Sequence, residues 1–316
     1  MKIQQLFAIK NNIMRHLFLT VLICTSSLIF GQQEPHFTQY MYNSNSINPA
    51  YVGSKGFASV YGMYRAQWIG LEGAPKTAIL SMNKPIDGTN LGYGVSVSND
   101  QLGPSEESQF AVDFSYTLFL NNDNRVAFGL KASGNLLSID YTKLNTYTPG
   151  ELILQNNINN RFSPNIGAGV YYYNKNSYLG LSVPMILDTK RYDDVVSSSV
   201  NQRYHVYVTG GKVYDIDYNI KFKPAFVFKA VDGAPLQLDL TANFLFNDKF
   251  TFGAAYRSNA AISGLVGFQL SKSMFVGYSY DRETTKLVRY NSGSHEFFIM
   301  FDLFNKTQKV DTPRFF

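Results

Sequence analysis

Hydrophobic and polar residues alternate with a period of two along most of this chain. In the run 109–120 every even-numbered position is apolar, and most odd-numbered positions are polar or small. The runs 236–246 and 91–98 show the same alternation. A helix would bring residues three and four positions apart together and mix the two sets, whereas a strand separates them onto opposite faces. The alternation therefore predicts β-strands.

Clusters rich in Asn, Asp and Gly divide this pattern into segments of similar length. Such clusters occupy 87–90, 121–124 and 247–249, each between two alternating runs. Long polar connections, above all 141–161 and 188–202, alternate with tight turns, which predicts that one end of the molecule is exposed and functional. The fourteen predicted strands cover 57–68, 76–86, 91–100, 109–120, 125–139, 163–174, 176–187, 203–214, 220–231, 235–246, 249–258, 260–271, 274–283 and 294–304.

The strand lengths and the composition of the two faces favour a membrane barrel over a soluble β-sandwich or propeller. Most segments are long enough to cross a bilayer, which takes about nine to eleven tilted residues, whereas soluble strands average about five or six. The polar face carries Gly, Ser, Thr, Asn and Gln, and rings cluster at strand ends, as at 171–173. In a soluble protein the apolar faces of these strands would expose an extensive apolar patch to water, whereas in a membrane barrel they would be covered by lipid. We therefore predict an all-β fold, a transmembrane antiparallel β-barrel of the outer membrane with about 14 strands and an N-terminal non-barrel segment.

Overall composition agrees with this architecture. Of the 316 residues, 15% are aromatic and 16% are charged, whereas a typical soluble domain has about 25% charged residues. The mean hydropathy of -0.14 indicates that apolar and polar residues are interleaved rather than segregated. Together these values exclude a disordered protein, a coiled coil and a polytopic helical membrane protein.

Residues 1–31 have the features of a secretory signal peptide. Basic residues precede the uncharged run 17–30, which is too short to span a bilayer as a helix, and Gly31 supplies a small residue at its end. Met14 is an alternative start. Cleavage near Gly31 removes Cys24, the one cysteine, and thereby excludes disulfides, thiolate zinc sites and thiol catalysis from the mature chain. Cleavage also removes basic residues, so no nucleic-acid partner is expected.

Residues that could carry catalysis are scattered and lack the spacing of known sites. His36, His205 and His295 are isolated from one another in the sequence. The glycine-rich stretches 92–94 and 167–169 lie within strands, where glycines beside bulky rings explain them better than phosphate binding. We therefore expect no catalytic residue, no metal site and no cofactor. A barrel enzyme acting on lipid remains a third hypothesis, although no Gly-x-Ser-x-Gly motif supports it.

Charged residues on the polar faces of strands have two interpretations. They either line an aqueous pore and bias its selectivity, or pair with one another and with a plug. Because both positive and negative residues occur on these faces, pairing is the favoured interpretation. These residues are Asp113, Arg125, Lys131, Lys221, Lys223 and Asp239.

The start of the mature chain, residues 32–56, differs from the rest because its aromatic residues lack clean alternation. Asn48-Pro49 forces an extended turn there. We expect this segment to plug the lumen or to bind a partner, followed by the barrel at 57–304 and a C-terminal tail at 305–316. The candidate plug or partner-binding residues are Phe37, Tyr40, Met41, Asn48, Pro49, Arg65, Gln67, Trp68, Pro75 and Thr77.

Several short motifs resemble those of one family. They are Phe37-Thr38-Gln39-Tyr40-Met41, Asn48-Pro49-Ala50 with Gly53-Ser54, Arg65-x-Gln67-Trp68, Gly73-x-Pro75-x-Thr77, Ser294-His295-Glu296 and the ending 312–316. In this combination the chain resembles the PorP/SprF family over essentially its whole mature length. The resemblance implies an outer-membrane protein of Bacteroidota that takes part in type IX secretion and gliding motility.

The resemblance also implies a partner. Such a protein helps a secreted surface protein, often an adhesin carrying a type B C-terminal domain, to reach or stay at the cell surface, and it meets other type IX secretion components and outer-membrane lipid. No catalytic residue is carried over from the family. The alternative function is a passive or selective channel for small solutes, with its lumen partly closed by residues 32–56.

Overall fold

The computed structural model describes residues 37–144, 157–187, 204–231 and 234–303. The predicted leader, residues 1–31, and the predicted tail, residues 305–316, lie outside these ranges. The strands of the described residues are β1 (Ala58–Ala66), β2 (Lys76–Pro85), β3 (Leu91–Leu102), β4 (Ser105–Phe119), β5 (Arg125–Ile139), β6 (Ile158–Tyr173), β7 (Ser177–Val183), β8 (His205–Lys212), β9 (Tyr214–Asp217), β10 (Ile220–Val231), β11 (Gln237–Phe246), β12 (Phe250–Arg257), β13 (Ala261–Ser271), β14 (Met274–Glu283) and β15 (Ser294–Leu303).

These strands form one closed antiparallel sheet. Neighbours in sequence pair with each other, β15 pairs with β1, and β10 bridges β8 and β11. Within the described residues the barrel therefore has fourteen strands, as predicted, and β9 is an extra short strand. Because β9 pairs only with the beginning of β10, next to the stretch paired with β8, it continues the wall where the single predicted strand 203–214 is interrupted.

Alternation places apolar side chains outside and polar side chains inside the barrel. On β4, Phe114 is 56% exposed whereas its neighbour Asp113 is fully buried. The same contrast holds on β11 between Leu240 and Asp239. The predicted apolar face is thus the outer surface of a closed cylinder, which lipid covers, and the polar face lines the lumen.

Strand β2 shows the thickness of the apolar band. Lys76 and Lys84 both lie on its outer face, and between them that face carries only Ala78, Leu80 and Met82. Eight residues at about 3.3 Å each span roughly 26 Å along the strand, which at the usual tilt of about 40° is about 20 Å along the membrane normal, within reach of long lysine side chains for an apolar band of about 25 Å. The two lysines thus mark the two edges of the hydrocarbon region, and Leu80 lies midway between them.

The two ends of the barrel carry different connections. The longer ones, 67–75, 140–157, 184–204 and 284–293, all connect strand ends at the same end of the barrel, here called the loop end; residues 145–156 and 188–203 of these connections lie outside the described ranges. At the opposite end, called the turn end, each connection within the described residues has two to five residues, as at 86–90 and 272–273. Outer-membrane barrels have short periplasmic turns and long extracellular loops, so the loop end faces the cell exterior.

Helical structure in the described residues is confined to short pieces. A single turn of α-helix, α1, covers Ser44–Ile47, and 3-10 turns occur at Tyr40–Tyr42, Pro49–Tyr51, Tyr141–Lys143 and Lys286–Arg289. None of the helices in this described part is long and apolar enough to cross a membrane.

Substitution of Leu80 by arginine tests the position of the membrane band. Leu80 is 60% exposed on the outer face, so the Leu80→Arg variant should lose about 2–4 kcal/mol of unfolding free energy in liposomes, as a cation does at the bilayer midplane. Leu120→Arg is the matched control, because Leu120 is 61% exposed just beyond β4 at the turn end. This control should lose about 0–1 kcal/mol of unfolding free energy. If urea titrations gave equal losses of unfolding free energy for the two variants, the apolar membrane band would not be centred on Leu80.

Candidate functional site

Residues 37–57, here called the lumenal segment, run through the inside of the barrel from the loop end to the turn end. At the loop end the Thr38 hydroxyl donates to Asp281 at 2.8 Å. Further along, the Val52 carbonyl accepts from the Ser115 hydroxyl at 2.7 Å. At the turn end the Lys55 ammonium lies 3.3 Å from Asp302. The segment then leads directly into β1.

Local sequence explains why this segment does not join the sheet. Its apolar residues do not alternate, and its chain forms α1 and two 3-10 turns. The Asn48 side chain accepts from the Ala50 N–H at 2.9 Å and caps the second 3-10 turn, whose first residue is Pro49. Gly53 follows with a φ of 77°, a conformation suited to glycine.

Rings from the segment and from the barrel wall pack together inside the lumen. The Tyr42 ring lies 5.3 Å from that of Phe275 and 4.3 Å from that of Phe298. Tyr61 stacks on Phe298 at 5.4 Å. This apolar cluster anchors the middle of the lumenal segment.

Polar groups of the segment, from both its backbone and its side chains, also meet polar side chains of the wall. The Ser81 hydroxyl donates to the Asn43 side chain at 3.0 Å. The Lys131 ammonium donates to the Asn45 carbonyl at 3.2 Å, and the Ser182 hydroxyl to the Ile47 carbonyl at 3.0 Å. Because these wall residues lie on β2, β5 and β7, the segment is held from several sides.

Glycines of the wall allow the segment to approach. A Cβ at Gly129 would overlap the backbone of Ala50, and one at Gly92 would lie 2.6 Å from the Val52 carbonyl oxygen. A Cβ at Gly169 would overlap the Asn48 side chain. The interpretation of these strand glycines as neighbours of bulky rings is therefore wrong: Gly92, Gly94 and Gly169 face the lumenal segment, and Gly167 faces the Pro184 backbone.

A buried ionic cluster, here called the latch, fixes the segment at the loop end. One guanidinium nitrogen of Arg65 lies 2.6 Å from Asp281, and the other lies 2.9 Å from Glu296. Glu296 also accepts from the backbone N–H groups of Thr38 at 3.1 Å and Gln39 at 3.0 Å. All five residues are buried. Arg65 and Glu296 are register partners on β1 and β15, so the latch spans the junction of the first and last strands.

The loop after β1 is tied to the same junction. Trp68 donates from its backbone N–H to the Ser294 hydroxyl at 3.1 Å and from its indole to Glu283 at 2.9 Å. Ile69 donates to the Gly293 carbonyl at 2.9 Å. Two motifs from opposite ends of the sequence, 65–68 and 294–296, therefore meet at one place.

The ten candidate residues fall into two groups. Phe37, Tyr40, Met41, Asn48 and Pro49 belong to the lumenal segment, where all but the half-buried Phe37 are buried. The second group, Arg65, Gln67, Trp68, Pro75 and Thr77, lies where β1 and β2 meet the loop end, with the Gln67 N–H donating to the Pro75 carbonyl at 2.9 Å.

Asp281 is not among the candidates identified from the sequence, and Glu296 enters only as part of a motif. Both occupy inward positions near the loop end of their strands. The sequence signal that could have identified Asp281 and Glu296 is their negative charge at lumen-facing positions. Acidic residues at such positions can pair with Arg65 once the barrel closes. That pairing depends on closure between residues more than 200 positions apart.

Most of the inward charges pair as predicted. Lys131 lies 3.4 Å from Asp113, and Asp239 lies 2.9 Å from Arg257. At the turn end Lys221 lies 2.9 Å from Asp248. The remaining two cations lie over rings, Arg125 at 5.2 Å from the centroid of Phe119 and Lys223 at 5.4 Å from that of Tyr178.

Two cavities lie beside the lumenal segment. A cavity of about 30 Å³ there, lined by Tyr51, Lys55, Tyr178 and Lys223 among others, has room for one or two water molecules. A larger cavity of about 250 Å³ lies at the turn end, next to Gly53 and the 86–90 turn. Within the described residues, no group of three or more His, Cys, Asp or Glu side chains is placed to hold a metal ion.

The Gly129→Ala substitution should loosen the lumenal segment, because the added methyl group would overlap the Ala50 backbone. Overpacking of this kind costs about 1–3 kcal/mol. Thiol labelling of a Ser44→Cys reporter measures the effect, and labelling should be faster in the variant. Gly62→Ala is the control, since its Cβ meets only the Ile299 side chain, at 3.5 Å. Identical labelling rates in the two backgrounds would show that contact at Gly129 does not hold the segment.

The Arg65→Met substitution should destabilise the barrel and release the start of the segment. It leaves two buried carboxylates without their shared cation, a loss of about 3–5 kcal/mol. Trp68, the one tryptophan of the chain, lies beside the latch and reports the change by fluorescence during urea unfolding. Lys175→Ala, which breaks an exposed pair with Asp123, should leave the unfolding midpoint unchanged. If the urea unfolding midpoint of Arg65→Met equalled that of Lys175→Ala, the latch would not stabilise the barrel.

Comparison with solved structures finds outer-membrane barrels. Omp33 of Acinetobacter baumannii is 11% identical, with a TM-score of 0.46 over 78% of this chain and 98% of that one. The toluene transporter TbuX of Ralstonia pickettii is 10% identical, with a TM-score of 0.49 over 82% and 92%. The monoaromatic hydrocarbon channel CymD is 13% identical, with a TM-score of 0.48 over 87% and 95%. At these values the likenesses carry no argument about function.

Comparison with curated proteins gives no significant match. A family model does match, over residues 29–301, and it is described as the type IX secretion system membrane protein PorP/SprF. The matched range includes the whole lumenal segment, the latch and nearly the entire barrel. The chain therefore belongs to the PorP/SprF family of type IX secretion system membrane proteins.

Proposed function

We propose that this protein helps to secrete to, or to anchor at, the cell surface a type IX secretion substrate such as a gliding adhesin with a type B C-terminal domain. It acts in the outer membrane by binding, without catalysing a reaction, and meets other secretion components there. The observation that carries the proposal is the lumenal segment, which occupies the barrel interior of a secretion-family protein from end to end.

An occupied lumen favours a binding role over solute transport. The segment contacts β2, β5 and β7 through hydrogen bonds, and the cavity beside it has a volume of only about 30 Å³. A hydrated sugar or amino acid needs a wider path than one or two water molecules. With the segment in place, the surface that remains for a large partner is the loop end.

The loop end offers apolar side chains that suit a protein partner. Tyr290 is 68% exposed, Ile69 is 41% exposed and Leu287 is 39% exposed. The 67–75 and 284–293 loops that carry them are joined by hydrogen bonds between Ile69 and residues 292–293. Exposed aromatic and aliphatic residues on a supported surface are typical of interaction sites.

Affinity purification from detergent extracts tests the proposal directly. A large secreted surface protein should co-purify with the wild-type protein, and deletion of the gene should release that protein into the medium. The Tyr290→Ser variant should retain less of it, by roughly tenfold for a lost anchor of about 1.4 kcal/mol. Tyr218→Ser is the matched control, because Tyr218 is 96% exposed at the turn end. No co-purifying surface protein, together with no release on deletion, would refute the function.

Planar-bilayer recording separates this function from the solute-channel alternative. The intact protein should show no large, steady conductance, because residues 37–57 occupy the lumen. Arg65→Met, which frees the start of the segment, should show intermittent openings. Large, steady pores from the unmodified protein would favour a channel for small solutes instead.

A further inference from the structure

The motif 294–296 contains one residue that faces away from the lumen. Ser294 and Glu296 face the lumen, so His295, between them, faces outward on β15. Its Nδ1 lies 2.8 Å from the Tyr278 hydroxyl. Its ring also packs edge-on against Tyr280 with the centroids 5.3 Å apart. With Nδ1 engaged by Tyr278, Nε2 is the ring nitrogen that faces a ligand.

Sheet register places two permanent cations near this histidine. His295 is opposite Tyr280 on β14 and opposite Ala66 on β1, and Ala66 is opposite Lys76 on β2. Arg282 lies two positions beyond Tyr280 on β14, on the same outer face. The group spans four adjacent strands, a width of about 14 Å at the usual strand spacing. Arg282 and Lys76 are both exposed.

Small residues within this group and on the neighbouring strand β13 make the surface shallow. Gly264 is opposite Tyr280 on β13, and a Cβ at Gly264 would meet no atom within 4 Å. Ala66 separates His295 from Lys76 with no more than a methyl group. The outer face thus has two depressions bordered by rings and cations. A flat headgroup can approach the backbone there more closely than at neighbouring positions.

The depth of the group matches that of lipid headgroups. Lys76 marks the loop-end edge of the apolar band, so the cations lie at the outer interface. Immediately below them on the same face are Tyr64, 48% exposed, and Phe297, 56% exposed. A cationic rim above an apolar wall is complementary to an anionic headgroup above acyl chains.

We propose that Lys76, Arg282 and His295, with Tyr278 and Tyr280, bind the phosphate groups of a phosphorylated glycolipid in the outer leaflet. Arginine binds a phosphate through two parallel N–H donors, and lysine adds a point charge. The His295 ring donates through Nε2. The acyl chains of the same lipid lie along Tyr64 and Phe297. The site is independent of the secreted partner, since it faces the membrane rather than the loops' outer surface.

Native mass spectrometry of the purified protein with bisphosphorylated lipid A tests the proposal. The wild-type protein should retain at least one lipid, and the Lys76→Gln/Arg282→Gln variant should bind it about tenfold more weakly, as for the loss of about 1.4 kcal/mol. Lys84→Gln is the matched control, with the same charge and face on the same strand at the turn-end edge. Dephosphorylated lipid should bind the wild type weakly, and free inorganic phosphate should not compete.

A second variant separates a shaped site from general attraction to charge. Gly264→Trp fills one depression and keeps every cation, so it should also weaken lipid binding severalfold. Unchanged electrophoretic heat-modifiability of each variant shows that the barrel is folded. The proposal is overturned if Lys84→Gln weakens binding as much as the double variant does, if Gly264→Trp has no effect, or if free phosphate displaces the lipid.

Discussion

The Arg65 guanidinium, held between Asp281 and Glu296, is the interaction on which the rest of the structure depends. A buried arginine and two buried carboxylates are stable only together, because each would be an uncompensated charge without the others. Arg65 lies on the first strand and its partners lie on the last two. Since Glu296 also binds two N–H groups of the lumenal segment, closing the cylinder and filling it are parts of one arrangement.

A closed cylinder of fourteen strands has an interior wider than its inward side chains alone can fill. The lumenal segment fills this space with rings at its middle and with backbone groups along its sides. Wall glycines at 92, 129 and 169 leave room for its chain, and wall hydroxyls at Ser81, Ser115 and Ser182 satisfy its polar atoms. The polar inner face is therefore a matching surface for one particular segment rather than the lining of a water-filled bore.

Much of the barrel could be predicted because the bilayer imposes a simple local rule, an apolar residue at every second position. The predicted bounds of 125–139, 220–231 and 274–283 coincide with β5, β10 and β14. The interruption between β8 and β9 escaped prediction, since residues 212–214 include no Gly, Pro, Asn or Asp to signal a break. The path of residues 37–57 through the lumen follows no such local rule and could not be predicted from the sequence pattern. Its contacts with Asp281 and Glu296 depend on closure of the whole barrel, which no pattern along the chain records.

The latch has a consequence for the order in which the protein assembles. Thr38 and Glu296 are separated by 258 positions, so a residue near the start of the lumenal segment depends on one of the last strands to be synthesised. Contacts of such long range form late in folding, after the intervening chain has been ordered. The wall up to β13 can pair strand by strand, but the entrance of the lumenal segment is fixed only when β14 and β15 arrive. A fixed lumenal segment is therefore the mark of a completed barrel, and in a protein truncated before β15 the start of that segment would stay unanchored.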